Sequence, residues 1–553
     1  MIKININMRV MLISFTFLFV GSLTSCQKFL EVKPGDRIDA GTLWSDQGAA
    51  GLFLNGMYTG LPSYFNQFDP DENFTDDALN GVANQSSANV YALSIYDASN
   101  APDKWGFYNY IRKANVFIEN VKKSKLNEAW KTQSIAEARF LRAYYYSLLW
   151  NYYGGVPLID EVLDRHEQGD KIFRERNSSD EIVSFITKEC SEIYMDLPLN
   201  APAGKATRGA ALTLKGWVEL FWASPLYNPD NAQQRWVDAA ESYRKVIDLN
   251  NYSLFNDYRG LFLEDNNSNP ETIFARQFLG GTSIGSSNEG YHGPAYTNSG
   301  TMIGWGLLNP TQEIVDQYFM ANGLAITDPS SGYDPQKPYI NREKRFYQSV
   351  LFDGAEWRGE NLVMKQGVGS KNATDLNSSS EVTNTGYYLL KGLNPKYTVP
   401  GNNQLSSANS IIFRYAEVLL GFAEAENEVN GPTNDVYNAI DLVRKRAEIP
   451  LLLNIAPSLS KAAMRAAILH ERRVELAFEG RRWFDLMRLK IAEDKLNGNS
   501  HAVVITKDGN NWRYDYPPAV GGKRVFFQNK NYVLPIPQSA LDQNSKLKQN
   551  PNY

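Results

Sequence analysis

Cysteine and histidine are nearly missing from this 553-residue chain, which holds two of the former and four of the latter. Cys26 and Cys190 stand far apart, and His166, His292, His470 and His501 are scattered without metal-ligand spacing, so zinc, haem and thiolate chemistry have little to work with. No serine elbow or phosphate-binding loop is present either. These residues lead us to expect no metal and no cofactor. An excess of positive charge is missing too: 56 Lys and Arg stand against 61 Asp and Glu, a formal net charge of −5. That mild acidity argues against nucleic acid or an anionic surface as the partner.

What is present begins with an apolar stretch, Val10 to Val20, preceded by Lys3 and Arg9 and followed by Gly21-Ser22-Leu23-Thr24-Ser25-Cys26. A basic start, a short apolar core and small residues before a cut make residues 1–25 a secretory signal, too short and wrongly flanked for a lasting membrane span. Loss of Lys3 and Arg9 with the signal takes the mature charge to about −7. Leu23-Thr24-Ser25-Cys26 resembles the bacterial lipobox, whose cysteine becomes the first mature residue and carries acyl chains. Such chains contribute ~0.8 kcal/mol per buried CH₂, so a protein anchored through Cys26 and otherwise soluble is expected. With Cys26 carrying lipid, Cys190 has no disulfide partner and reads as a small buried apolar residue.

Helical spacing dominates as far as about residue 250. Ala138, Leu141, Tyr145, Leu148 and Tyr152 share one face, and Gly154-Gly155-Val156-Pro157 ends the run. Thr207 is a candidate N-cap for a helix whose face carries Ala210, Leu214, Trp217 and Phe221, stopped by Pro225. Further helices are expected near Trp105–Val121, Asp180–Met195, Gln233–Leu249, Arg414–Val429 and Asn434–Arg446, and one continuous helix from Lys461 to about Leu489 with Met464, Ile468, Val474 and Phe478 in a stripe. Short links imply antiparallel pairs stacked in a tetratricopeptide-like manner, without a strict repeat. Between about 266 and 410 the texture turns to Gly, Ser, Asn and Pro with aromatics, the mark of a long functional loop region. The ending through Leu534-Pro535-Ile536-Pro537 is expected to be extended.

Several stretches resemble the SusD/RagB lipoproteins: Cys26 to Pro34, Glu137-Ala138-Arg139-Phe140-Leu141-Arg142-Ala143, Tyr153-Gly154-Gly155-Val156-Pro157, Arg414-Tyr415-Ala416-Glu417, Glu471 through Leu486, and Leu534 through Pro551. The resemblance implies a mostly α fold, a tetratricopeptide-like helix-pair scaffold with a loop-rich insertion. It divides the chain into a signal (1–25), an N-terminal helical region (26–250) and a C-terminal region (266–553) whose insertion, about 266–410, holds the ligand. It also implies a cell-surface, non-catalytic protein of the outer membrane, facing the exterior. Such a protein captures a glycan and serves as the lid of a SusC-like TonB-dependent transporter. Peptide capture is the alternative within the same architecture, and a purely structural lid a further one.

Sugar capture needs flat aromatic faces for C–H surfaces and amides or acids beside them for hydroxyls. Two loop segments offer that mixture: 69–96, with Phe74, Asp76, Asn80, Asn84 and Tyr91, and 280–307, with Tyr291, Tyr296, Asn298 and Trp305. We expect Trp305 and Tyr291 as platforms, Asp76 and Asn80 as hydroxyl partners, and Phe74, Tyr296 and Trp357 as further contacts; Trp105 and Trp217 read as core. Glu471, Glu475 and Glu479 recur every four residues, and a carboxylate pair could in principle hydrolyse glycosides. Neighbouring arginines favour a structural network instead, through Arg472–Glu475, Glu479–Arg482 and Arg482–Asp485 pairs along the helix.

Overall fold

The computed structural model describes residues 43–553 apart from 65, 68, 82–87, 203, 375, 377–381 and 398–404. The signal, the anchor Cys26 and the tether after it lie outside the described residues, as does Asn84. The longest helices are α1 (Gln47–Tyr58), α2 (Phe107–Lys123), α3 (Glu128–Tyr153), α4 (Ser179–Ile193), α5 (Arg208–Ala223), α6 (Gln233–Asp248), α7 (Tyr415–Asn430), α8 (Asn434–Arg446) and α9 (Lys461–Glu475).

Their ends obey local chemistry. The Asn127 side chain accepts from Trp130 N to open α3, which closes at Gly154 with φ 71°. Ser178 and Glu181 form a reciprocal capping box on α4, and Thr207 accepts from Ala210 N to open α5, as its sequence position predicts. Each of α2 to α6 packs on the next in chain order, and α6 packs on α7 although residues 249–414 lie between them. The result is a stack of helix hairpins around one long core that contains the predicted stripes of α3 and α5, with Trp217 1% exposed. Among the described residues no helix is long and apolar enough to cross a membrane.

The excursion between α6 and α7 leaves and returns through a two-stranded antiparallel neck, β2 (Thr272–Arg276) with β4 (Ser410–Arg414). Ile273, Phe274, Ile412 and Phe413 anchor that neck in the first core. Beyond it the loops build a second core from residues such as Tyr318, Phe346, Trp357 and Tyr388, closed by Val474 from α9 and by Ala477 and Phe478 just after it. A small antiparallel pair, β1 (Ala78–Leu79) with β3 (Asn309–Pro310), ties the segment before α2 to the excursion.

The stretch 461–489 is not one helix. It stops at Glu475, passes through Phe478 (φ 65°) and Gly480 (φ 68°), and resumes at Arg482–Arg488. Tertiary bonds override the periodicity here: the Glu475 carbonyl accepts from Tyr258 Oη, Lys391 Nζ and Arg414 Nη2, and the Ala477 carbonyl from Lys391 Nζ. These donors satisfy the carbonyls a helix terminus leaves open. Gly480 is required at the break, since a Cβ there would lie 1.9 Å from Tyr64 Cδ1 at a φ that L side chains avoid. Gly480→Ala is expected to cost about 2 kcal/mol or more, read as a lowered urea midpoint; an unchanged midpoint would show that the break relaxes freely.

Candidate functional site

The two loop segments singled out in the sequence meet in space. Besides the β1–β3 pair, Thr311 N donates to Asp77 O, Thr311 Oγ1 to Asp76 O, and Asn73 Nδ2 to Leu307 O. Residues 290–307 fold back on themselves: Trp305 N donates to Gly290 O, Leu307 N to Tyr291 O, Ile303 N to Ala295 O, and Tyr296 bridges Met302. The neighbouring loop braces this arm. Arg358 Nη1 donates to Ile303 O, Asn372 Nδ2 to Tyr296 O, and Asn298 Nδ2 to Asn361 O. Held in this way, Trp305 is 39% exposed, with Tyr291 and Tyr296 half-buried on the same arm. The nearby turn that Leu279 N closes on Ile284 O presents those two side chains to solvent, 56% and 62% exposed, which the sequence reading missed.

Four other nominated residues are placed inside instead. Asp76 is buried and accepts a two-pronged bond from Arg482 (both 2.7 Å) and one from Arg473 Nη2 at 2.9 Å. Burial alone would raise its pKa, but the Arg482 and Arg473 guanidiniums hold the carboxyl well below the usual carboxylate range. Asn80 is buried and donates to Asp69 Oδ1. Phe74 is buried with edge contacts to Tyr91 (4.5 Å) and Trp483 (6.1 Å). Trp357, 2% exposed, fills the second core under the Arg358 guanidinium. The physical reason is shared: the joint between the segments must itself be packed and neutralised, and these residues do that. Trp105 departs in the opposite direction, half-buried along a cleft wall and not in the core interior.

The acidic and basic residues from 471 to 488 do form a structural network, but most of its partners are distant. Arg345 bonds Glu343, Glu471 and Glu475; Arg414 bonds Glu271, Glu475 and Glu479; Arg446 bonds Glu271 and Glu475; Arg472 bonds Glu417 and Asp485; Arg488 bonds Glu424 and Asp485. Of the three pairs expected along the helix none is a salt bridge among the described residues: Glu475 turns to Arg345, Arg414 and Arg446, Arg472 to Asp485 and Glu417, Glu479 to Arg414 and Lys391, and Arg482 to Asp76. Burial opposes ionisation of Glu475, yet the guanidiniums of Arg446, Arg414 and Arg345 hold it far below its ordinary pKa. A general acid must be protonated and reach its substrate. Glu475 is 0% exposed and Glu471 1%, each locked to arginine, so neither can serve as one.

Glu289 lies on the same arm as Tyr291. It is 1% exposed, accepts from Asn394 N at 3.3 Å, and burial pushes its carboxyl up to about 7.

Comparison with known proteins agrees with this architecture. The model described as the SusD family matches residues 270–553, and that described as starch-binding, associating with outer membrane, matches residues 28–216. A SusD-like protein of Formosa agariphila is 24% identical, the match covering 89% of this chain and 95% of that one. Among solved structures, a SusD-like protein of Bacteroides fragilis superposes with a TM-score of 0.79 at 27% identity, over 93% of this chain and 99% of its own. A SusD-like carbohydrate-binding protein from the same species gives 0.77 at 27% identity, over 92% and 100%. With its helix-hairpin stack, its necked excursion and a family match over more than half its length, this chain belongs to the SusD family.

Proposed function

We propose that this chain captures a glycan on the face carrying Trp305, Tyr291 and Tyr296 and delivers it, without chemical change, to a SusC-like TonB-dependent transporter. In this reading acyl chains on Cys26 hold the protein at the outer membrane facing the exterior, residues 26–250 form its N-terminal region, and the insertion within 266–553 carries the ligand. The observation that carries the proposal is the braced arm 290–307, which keeps a tryptophan face in solvent at the cost of apolar exposure. Such a fixed, amphipathic platform loses little freedom when a sugar ring stacks on it. The outer-membrane, starch-binding description of the N-terminal family match and the carbohydrate-binding relative support the same ligand class.

Glycan-array screening followed by calorimetry tests this. Trp305→Ala is expected to weaken the identified glycan by about 1.5 kcal/mol or more, roughly tenfold or more in affinity, with an unchanged melting temperature because the side chain is largely outside the core. Undiminished affinity removes Trp305 from the site. Cys26→Ala is expected to release the protein from the membrane fraction. The exposed Leu279–Ile284 turn favours peptide capture, and an array without hits together with peptide binding lost in Ile284→Ser would select that reading.

A further inference from the structure

A cleft of about 420 Å³ lies between α2, the link 157–174 and the short helix Gln538–Gln543, on elements that take no part in the 290–307 arm. We propose that it is a second binding site, for a neutral sugar.

Its wall is aromatic and fixed. Trp105 is half-buried, its ring 5.3 Å edge-on from Tyr153 and 5.0 Å from Tyr108, and its backbone amide donates to Asp103 Oδ1 at 2.7 Å. Tyr108 commits its hydroxyl to Pro157 O at 2.7 Å, so it offers ring surface only. Along the rim, the side chains of Asn109, Ser539 and Gln543 hold no hydrogen bond among the described residues and are exposed. Arg112 uses one N–H on Leu163 O, leaving the rest of its guanidinium available. Amides, a hydroxyl and a guanidinium around an indole face are the groups that read hydroxyls and C–H faces together.

Charge narrows the ligand. Asp103 and Glu161 balance Arg112 and Arg174, and Glu161 is already paired with Arg174. The formal charges of the lining residues cancel, so they favour neither an acidic nor a basic ligand. Among the described residues no strand borders the cleft, so an extended peptide would find no edge to pair with there. The volume falls within the ~300–1,000 Å³ of small-ligand sites and suits the end of an oligosaccharide. With a second weak site on the same molecule, a long polysaccharide is held with more avidity than a short fragment of it.

Hydrogen–deuterium exchange with maltohexaose, laminarihexaose and cellohexaose as probes separates this site from the arm. Each probe is used at about 10 mM, above the ~1 mM dissociation constant of a weak site. At least one probe is expected to protect residues 103–115 and 538–547. That protection should persist in Trp305→Ala and fall about tenfold in apparent affinity in Asn109→Ala/Gln543→Ala, whose surface positions leave the fold intact. Protection of the cleft with none at 290–307 supports the second site while removing the first. Protection confined to 290–307, cleft protection indifferent to the double variant, or no protection by any probe overturns the proposal.

Discussion

Replacing Arg414 by leucine is expected to lower unfolding stability by about 3–5 kcal/mol, the cost of stranding buried carboxylates. The guanidinium is 1% exposed and spends every N–H direction on the interior. Nε donates to Glu479 Oε2 at 2.7 Å, Nη1 to Glu271 Oε1 at 2.7 Å and Glu475 Oε1 at 2.6 Å, and Nη2 to Glu479 Oε1 at 2.7 Å and the Glu475 carbonyl at 2.8 Å. Without it, among the described residues, Glu271 keeps Arg446 as its one ion-pair partner beside the Phe255 amide, and Glu479 keeps Lys391. The carbonyl that ends α9 loses a donor at the same time, so the break that positions Arg481 and Arg482 is loosened. Because a domain's whole stability is about 5–15 kcal/mol, the variant should unfold at a much lower urea concentration. Arg414→Lys should recover little, since one ammonium cannot bond three carboxylates and a carbonyl together. A shift of the urea midpoint equivalent to less than about 1 kcal/mol would mean that the site takes up water and behaves like a surface pair.

That residue also marks the limit of what the chain discloses before it is folded. The helices of the scaffold were legible because their signals are local: an apolar stripe on α3, a stop at Gly154, a threonine cap at 207. Arg414 could be assigned to a helix boundary, but its partners lie at 271, 475 and 479, and spacing along one helix pointed to the wrong pairs. Phe478 continued an apolar stripe in the sequence, yet it takes a left-handed conformation where Tyr258 and Lys391, from distant loops, bond the Glu475 and Ala477 carbonyls. In the candidate site the sequence singled out two segments that the fold brings together, and not which of their side chains are buried. Asp76 and Trp305 both sit on loops rich in polar and aromatic residues. What separates them is that Arg473 and Arg482, some four hundred positions on, reach Asp76, whereas the arm turns Trp305 outward. The pairing of Asp76-Asp77 with the later arginine cluster was the available signal, as two adjacent acids opposite arginines are more readily a buried joint than a sugar contact.

Glu289→Gln is expected to stabilise the arm above neutrality and to leave it unchanged in acid. The carboxyl is enclosed, with Asn394 N as a donor and no salt bridge among the described residues, and burial carries its pKa from 4.5 to about 7. For an acid raised in the folded state, the linked contribution to stability is fully present below about 4.5 and is lost as pH rises through about 7. The displacement corresponds to on the order of 3 kcal/mol, spent on holding an ionised group in the interior or on opening the arm to hydrate it. Glutamine keeps the oxygen that accepts from Asn394 and removes the charge. Exchange protection of residues 288–307, corrected for the intrinsic rate, should therefore fall in the wild type between pH 5 and pH 8, and stay level in the variant. Since Tyr291 and Trp305 ride on that backbone, affinity for a stacked ligand should follow the same curve, weakening with alkalinity only where Glu289 is present. A variant as sensitive to pH as the wild type would place the titrating group elsewhere and disconnect the buried acid from the surface above it.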